Sequence, residues 1–365
     1  MIYLDYAAST PIDEKVTKEM NKVHIQINPH ADNPLAKEYL KLINTAKLQI
    51  LDCLNVTKGD ITFTSNATES NNIAIMGLTS SYPDKKHIIS TSIEHEAVLN
   101  VLEHLKTKGY KITLIKPNSD GVVTPKMVSQ YITKQTILVS IMHINNEIGT
   151  VMPVNDIANI AKKYGAFMHV DAAQSIGKIP FDCANIDLVS LSSHKSYGPV
   201  GVGALYQNQS FKIQKTSFGG NQQYLKSGTM PTNLIVGMGM AFAIAKNQQV
   251  DDYNHAYLLK THILNKLKNK VSLNFNGVPF ILSLFVKDIN VESLLFFLQN
   301  YAVSRGSACS TEIKGQKCIF EITQNQNIAY NSIRVSFGRF VSISQINLFC
   351  HDFNKYYDLV KSYAI

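Results

Sequence analysis

Two apolar runs end on side chains that could do chemistry. Ala166 to Val170 stops on Asp171, and Ile186 to Leu191 stops on Ser192-Ser193-His194-Lys195. Short apolar runs ending on polar residues predict buried parallel strands that present those residues at their carboxyl ends. Ligands bind at that edge in open α/β sheets, so Asp171 and Lys195 are predicted to converge on one crevice. That pair suits pyridoxal 5'-phosphate, which a lysine holds covalently while a carboxylate keeps its ring nitrogen protonated. The protonated ring is an electron sink for a carbanion at a substrate Cα. Alone, Asp171 reads as a helix cap and Lys195 as a surface residue. Gln174 can reach a ring hydroxyl, and Ser192 and His194 can donate to a phosphate. The combination therefore points to the cofactor.

The stretches HVDAAQ, SSHKSYGP and GSAC, ending at Gln174, Pro199 and Cys309, carry a wider likeness. They resemble the NifS/IscS-like cysteine desulfurases, fold-type I pyridoxal phosphate enzymes of the class V aminotransferase family. The resemblance runs from Tyr3 to about Phe340. It implies an α/β fold with a large, mostly parallel-sheet domain and a small α+β domain carrying the catalytic cysteine. The expected division is 1–12 as a segment bordering the small domain and active site, 13–250 as the cofactor domain, and 251–365 as the small domain.

The remaining site residues come from motifs along the chain. A Ser/Thr-rich helix start after the strand 61–64 presents free N–H groups and a positive dipole end, which suits a phosphate. The same pattern is also a common capping arrangement. Its match to the family motif implies that Thr68 is the phosphate ligand. The Glu94-His95 motif implies that His95 lies over the pyridine face, where it can shuttle protons. In Asn145-Asn146-Glu147-Ile148-Gly149, the resemblance assigns Asn146 to the ring hydroxyl and leaves Glu147 structural. The family's R-x-G-T is Lys226-Ser227-Gly228-Thr229 here. Lysine keeps the charge and loses the bidentate fork. Thr229 is expected to reach the phosphate of a neighbouring subunit, which implies a homodimer. From the altered stretch Asp32–Ala36 only Asn33 carries over, as a substrate-side residue.

A second chemical centre lies at residues 304–311, Ser-Arg-Gly-Ser-Ala-Cys-Ser-Thr. A free cysteine is usually buried and inert. One set among small polar residues between a strand and a helix has the access a thiolate nucleophile needs. The resemblance makes Cys309 the persulfide-forming nucleophile, on a loop through Lys317. Arg305 stands where a small residue is usual. Cys318, beside Ile319-Phe320, is predicted to be packed. Arg334, on a strand among apolar neighbours, suits a bidentate clamp on an α-carboxylate, and the resemblance assigns it there. Arg339 is expected to be structural.

Bulk properties agree with an ordinary globular chain. The 365 residues are 45% hydrophobic and 17% charged, enough for two packed domains. The start, MIYLDYAASTP, has neither the basic region nor the apolar core of a signal peptide, and no apolar run is long enough to span a membrane. The cytoplasm is the expected compartment. The five cysteines are scattered without CxxC, which argues against a disulfide framework or a zinc ribbon, and no metal site is expected. The formal charge of +8 comes from lysines spread along the chain and not interleaved with aromatics, so no direct nucleic-acid role is expected. Apolar spacing predicts helices over 13–23, 34–54, 155–164, 233–248, 251–269, 291–299 and 342–362. Strands are predicted near 136–142, 271–275, 281–286 and 332–337.

The implied reaction converts L-cysteine to L-alanine and retains the sulfur on Cys309. An acceptor protein follows, an iron–sulfur scaffold or a tRNA-thiolation enzyme. The chain ends at Ile365 without the extension by which some relatives dock an iron–sulfur scaffold, which leaves the acceptor open. A selenocysteine lyase or another class V aminotransferase is the alternative, and the GSAC motif argues against both. A non-catalytic sulfur-trafficking scaffold is a further alternative, opposed by intact Lys195, Asp171, His95 and Cys309.

Overall fold

The main sheet has seven strands, in the spatial order Asp60–Thr64, Gly203–Gln207, Leu188–Ser192, Phe167–Asp171, Thr136–Ser140, His87–Thr91 and Lys111–Ile115. Only Gly203–Gln207 runs antiparallel to its neighbours; the other pairings are parallel. The structure is a computed structural model describing residues 1–25, 27–305 and 315–363. Strands such as Thr136–Ser140 and Leu188–Ser192 are buried at every position, as expected where helices cover both faces. One face packs Ile157, Ala161 and Phe242, the other Ile73, Leu78, Val98 and Leu102. A polar bridge also crosses the core, where His169 links Ser140 and Ser190 at 2.8 and 2.9 Å. Burial lowers the imidazole to about 4, so it is neutral there. This is the α/β fold the motifs implied.

A second, three-stranded antiparallel sheet is ordered Ser332–Ser336, Ile281–Val286, Val271–Leu273. Its core joins Leu282, Leu284 and Val335 to Phe349 and Phe353 of the helix Ile343–Tyr363. The two helices expected over 233–248 and 251–269 are one helix of 36 residues, Thr232–Leu267. The charged Asp251-Asp252 reads as a break because the apolar face lapses there. Buried positions stop at Ala245 and resume at Ala256, where the helix passes from the first core to the second. With neither proline nor glycine at the crossing, nothing interrupts the backbone ladder.

The first residues stitch the two sheets together. Ile2–Tyr3 pairs in parallel with Tyr301–Ala302, and the Ala7 N–H donates to Ser336 Oγ at 2.9 Å. Thr10 then donates from its N–H to the His194 carbonyl at 2.8 Å, and its Oγ1 accepts from the Tyr197 N–H at 2.7 Å. The turn that carries Lys195 is thereby held from the far end of the chain. No helix among the described residues is long and apolar enough to cross a membrane.

Candidate active site

At the carboxyl edge of the main sheet lies a cavity of about 430 Å³, within the range of small-molecule sites. Thr68, His95, Asn146, Asp171, Gln174, Ser192, His194, Lys195 and Arg334 all line it. Parallel strands explain the gathering. Asp171 is the last residue of its strand, Ser192 the last of the next, and the turn Ser193–Lys195 follows directly.

Asp171 accepts two hydrogen bonds, from Asn71 Nδ2 at 2.8 Å and from the Ala173 N–H at 3.0 Å. Lys195 Nζ donates to the carbonyls of Ala7 and Ala8 at 2.7 and 2.6 Å. Burial, with the Arg334 charge adding, lowers this amine to about 8. A neutral amine, the form that attacks a carbonyl, is therefore accessible near neutral pH. Ser192 Oγ and His194 Nδ1 stand 3.1 Å apart. Burial and the nearby Lys195 and Lys178 lower His194 to about 4, leaving a neutral ring beside the lysine.

The helix Ala67–Ser81 points its N-terminus at the same space. Its cap, Asn66, accepts from the Glu69 N–H through Oδ1 at 2.9 Å, and Ala67 and Thr68 form part of the wall. A first turn in this position supplies N–H donors and a positive dipole end. Opposite, His95 caps the helix Glu96–Thr107 by accepting from the Ala97 N–H at Nδ1, 3.1 Å away. With Nδ1 accepting, a singly protonated ring carries its hydrogen on Nε2.

Arg334 is buried. Its Nη1 donates to the Asn146 carbonyl and its Nη2 to Asp5 Oδ1, each at 2.7 Å. Its Nε has no partner among the described residues. A guanidinium on the cavity wall suits an anion. The two adjacent asparagines divide their work. Asn145 donates to the Ile93 carbonyl and accepts from the Glu147 and Ile148 N–H groups, so it holds the turn while Asn146 faces the cavity.

Two expected site residues lie off this wall, and a third lies outside the described residues. Asn33 is absent from the cavity wall. Its amide oxygen accepts from the Ala36 N–H at 2.9 Å as the N-cap of the helix Pro34–Cys53, a capping duty that explains the residue without a substrate. Thr229 is exposed on its own chain, outside that chain's cavity. Cys309 lies outside the described residues. The four described cysteines, Cys318 among them, are buried and unpaired, and burial pushes Cys318 well above the ordinary thiol range.

Known proteins agree with this geometry. Residues 2–349 match the family described as Aminotransferase class-V. The chain belongs to the class V aminotransferase family. It is 39% identical over 363 residues to the cysteine desulfurase IscS of Buchnera aphidicola subsp. Acyrthosiphon pisum (strain 5A), covering 94% of this chain and 90% of that one. Among solved structures, a NifS-like protein superimposes with a TM-score of 0.90 at 30% identity, covering 98% of each chain. SspA in complex with cysteine superimposes with a TM-score of 0.80 at 33% identity, over 92% of this chain and 99% of that one.

Enzymes of this family use pyridoxal 5'-phosphate, and the cavity fits it. An anion-binding helix start with Ser192 and His194 suits a phosphate, buried Asp171 suits a ring nitrogen, and Lys195 offers the amine. The guanidinium of Arg334 on the wall suits the carboxylate of an amino-acid substrate. Gln174 is more occupied than its motif suggested. Its Nε2 donates to the Ala7 carbonyl at 2.7 Å and its Oε1 accepts from Lys178 Nζ at 3.1 Å, leaving one N–H for the cavity. Asn71 and Asp5 line the wall and were not singled out from sequence. For Asn71 a signal existed, since it follows Thr68 by three positions and so shares its helix face.

Proposed function

We propose that the chain removes sulfur from L-cysteine, releases L-alanine and keeps the sulfur as a persulfide on Cys309. The observation that carries the reading is one wall holding Lys195, Asp171, Arg334 and Ser304. Ser304 exchanges backbone hydrogen bonds with Arg334, at 3.1 and 2.6 Å, and the GSAC segment follows it two residues later in sequence. The sequence that carries the nucleophile thus leaves from beside the residue proposed to hold the substrate carboxylate.

Bound pyridoxal 5'-phosphate supplies an electron sink for the carbanion formed when the substrate loses its Cα proton. The chain does the rest. Arg334 takes the α-carboxylate, with Asp5 and the Asn146 carbonyl fixing the guanidinium plane. Lys195, an amine lowered to about 8, takes the Cα proton. Asp171 holds a proton at the ring nitrogen, and His95 exchanges protons through Nε2. The Cys309 thiolate attacks the substrate sulfur. The carbon–sulfur electron pair returns to the carbon fragment, which is protonated to alanine.

The active form in this proposal is a homodimer, with Thr229 serving the neighbouring site and the sulfur passing to an acceptor protein. Exposed Phe218 and Tyr224 on the same surface stretch support a partner there. A cytoplasmic setting fits four unpaired cysteines. The proposed division is residues 13–250 and 251–365, with 1–12 bordering the small domain and the active site.

Cys309→Ala tests the reading. The variant is expected to bind cofactor and cysteine as the wild type does, while alanine formation falls by at least about a hundredfold. Mass spectrometry of wild type after exposure to cysteine should place one added sulfur on the Cys309 peptide. Undiminished alanine production by the variant would overturn the mechanism.

A further inference from the structure

Asn71 is fully buried, lines the cavity, and donates through Nδ2 to Asp171 Oδ2 at 2.8 Å. Its own Oδ1 has no partner among the described residues. A buried amide that leaves its oxygen unsatisfied is costly unless its N–H is needed where it points. The groups around Asp171 explain the need. Its described donors, Asn71 and the Ala173 N–H, are both neutral. Glu94 nearby is pushed up to about 8 by burial, with the Asp171 charge adding to the shift, so it stays largely protonated at neutral pH. His169, on the same strand, is lowered to about 4 by burial and brings no charge. Lys195 is a cation close enough to feel the Asp171 charge, and the reaction requires that amine to lose its own charge. The orientation of the Asp171 carboxylate therefore rests on its hydrogen bonds.

We infer that Asn71 is a positioning residue that orients the Asp171 carboxylate toward the cofactor ring. The inference rests on the proposed function above. Position along the helix adds to it, because Asn71 shares the helix Ala67–Ser81, and by spacing one face, with Thr68. One rigid element then sets the distance between the phosphate end of the site and the acid at its other end.

Two variants of the full chain test this, each compared with wild type for pyridoxal 5'-phosphate affinity and for the pH midpoint of its visible absorbance. Asn71→Leu keeps the bulk and removes the donor. Its cofactor affinity should fall about ten- to hundredfold, the range of a hydrogen bond to a charged group. Its absorbance midpoint should move upward, because a ring less firmly protonated withdraws less charge from the Lys195 nitrogen. Asn71→Asp sets two carboxyls side by side, and such a pair shares one proton until the pH rises. At pH 5.5 or so its protonated form donates as the amide does and affinity should match wild type. Toward pH 8.5 or so that proton is lost and affinity should fall, a pH dependence that a purely structural role would not produce. Wild-type affinity and midpoint in both variants would overturn the inference. So would an Asn71→Asp affinity that tracks wild type across the pH range. Borohydride reduction of the loaded wild type separates the two levels. If it fixes no cofactor on Lys195, the proposed function falls and this inference with it; if it does, the Asn71 outcomes stand alone.

Discussion

Glu94 is a buried acid next to the site. It accepts from Thr91 Oγ1 at 2.7 Å and from the Met142 N–H at 3.0 Å. Burial lifts its carboxyl from 4.5 to about 8. The folded chain therefore holds a proton that the unfolded chain releases. The stability tied to that proton is full below pH 4.5 and is lost as pH rises through about 8. Glu94→Gln, which imitates the protonated acid, should match wild type in thermal denaturation at about pH 4.5. Above about pH 8 it should exceed wild type by on the order of 1–3 kcal/mol. Equal melting of the two proteins across that range would show that Glu94 does not carry the proton.

The helix Ala67–Ser81 owes its placement to a glycine. A Cβ on Gly203 would lie 2.6 Å from the Asn66 carbonyl carbon and 2.7 Å from the Leu191 oxygen. Both are backbone atoms and cannot swing aside. Gly203 opens its strand opposite Thr64 and Ser192, so this close approach presses the capped helix start against the cofactor edge. Gly203→Ala should destabilise the chain by about 1–3 kcal/mol through overpacking. It should also weaken cofactor binding by displacing Thr68, measured by melting and by cofactor titration. Unchanged cofactor affinity in a folded variant would show that the close approach does not set the helix. The helix Thr232–Leu267 works over a longer range. It packs one end in each hydrophobic core and so carries the position of one sheet to the other.

At the scale of the whole molecule, the stretch bearing Thr229 is fastened to its own chain and not to its own cavity. Lys226 Nζ donates to Glu69 at 2.6 Å, and Gln223 brackets Phe63 through both its backbone groups. Lys226, where the family motif expects an arginine, therefore holds Glu69 of the helix Ala67–Ser81 through a single nitrogen. If Thr229 serves a neighbour, each site of a dimer takes Lys195 from one chain and Thr229 from the other. Lys195→Ala and Thr229→Ala chains, each impaired alone, should then regain activity when unfolded together and refolded. Random pairing restores about a quarter of the sites, because half the dimers are mixed and each mixed dimer holds one intact site. Activity no higher than that of the separate variants would place Thr229 outside the neighbour's site.

What the amino-acid sequence determined by itself was local. Each buried strand is a short apolar run, and the residue at its end is the one delivered to the cavity, so Asp171, Ser192 and Lys195 could be placed from the chain alone. Motif likeness extended this to Thr68, His95, Asn146 and Arg334, which the structure gathers on the same wall. Contacts between distant segments were left to the tertiary structure. Asn71 meets Asp171 across 100 residues of chain, and Asp5 meets Arg334 across 329. No periodicity encodes such meetings, because they depend on how whole elements stack. The same limit applied to Asn33, whose polar side chain could cap a helix or bind a ligand; its backbone turned out to sit at the N-cap of a helix. The single helix Thr232–Leu267 was hidden because its apolar face lapses between two cores, and only their packing shows that one rod spans both.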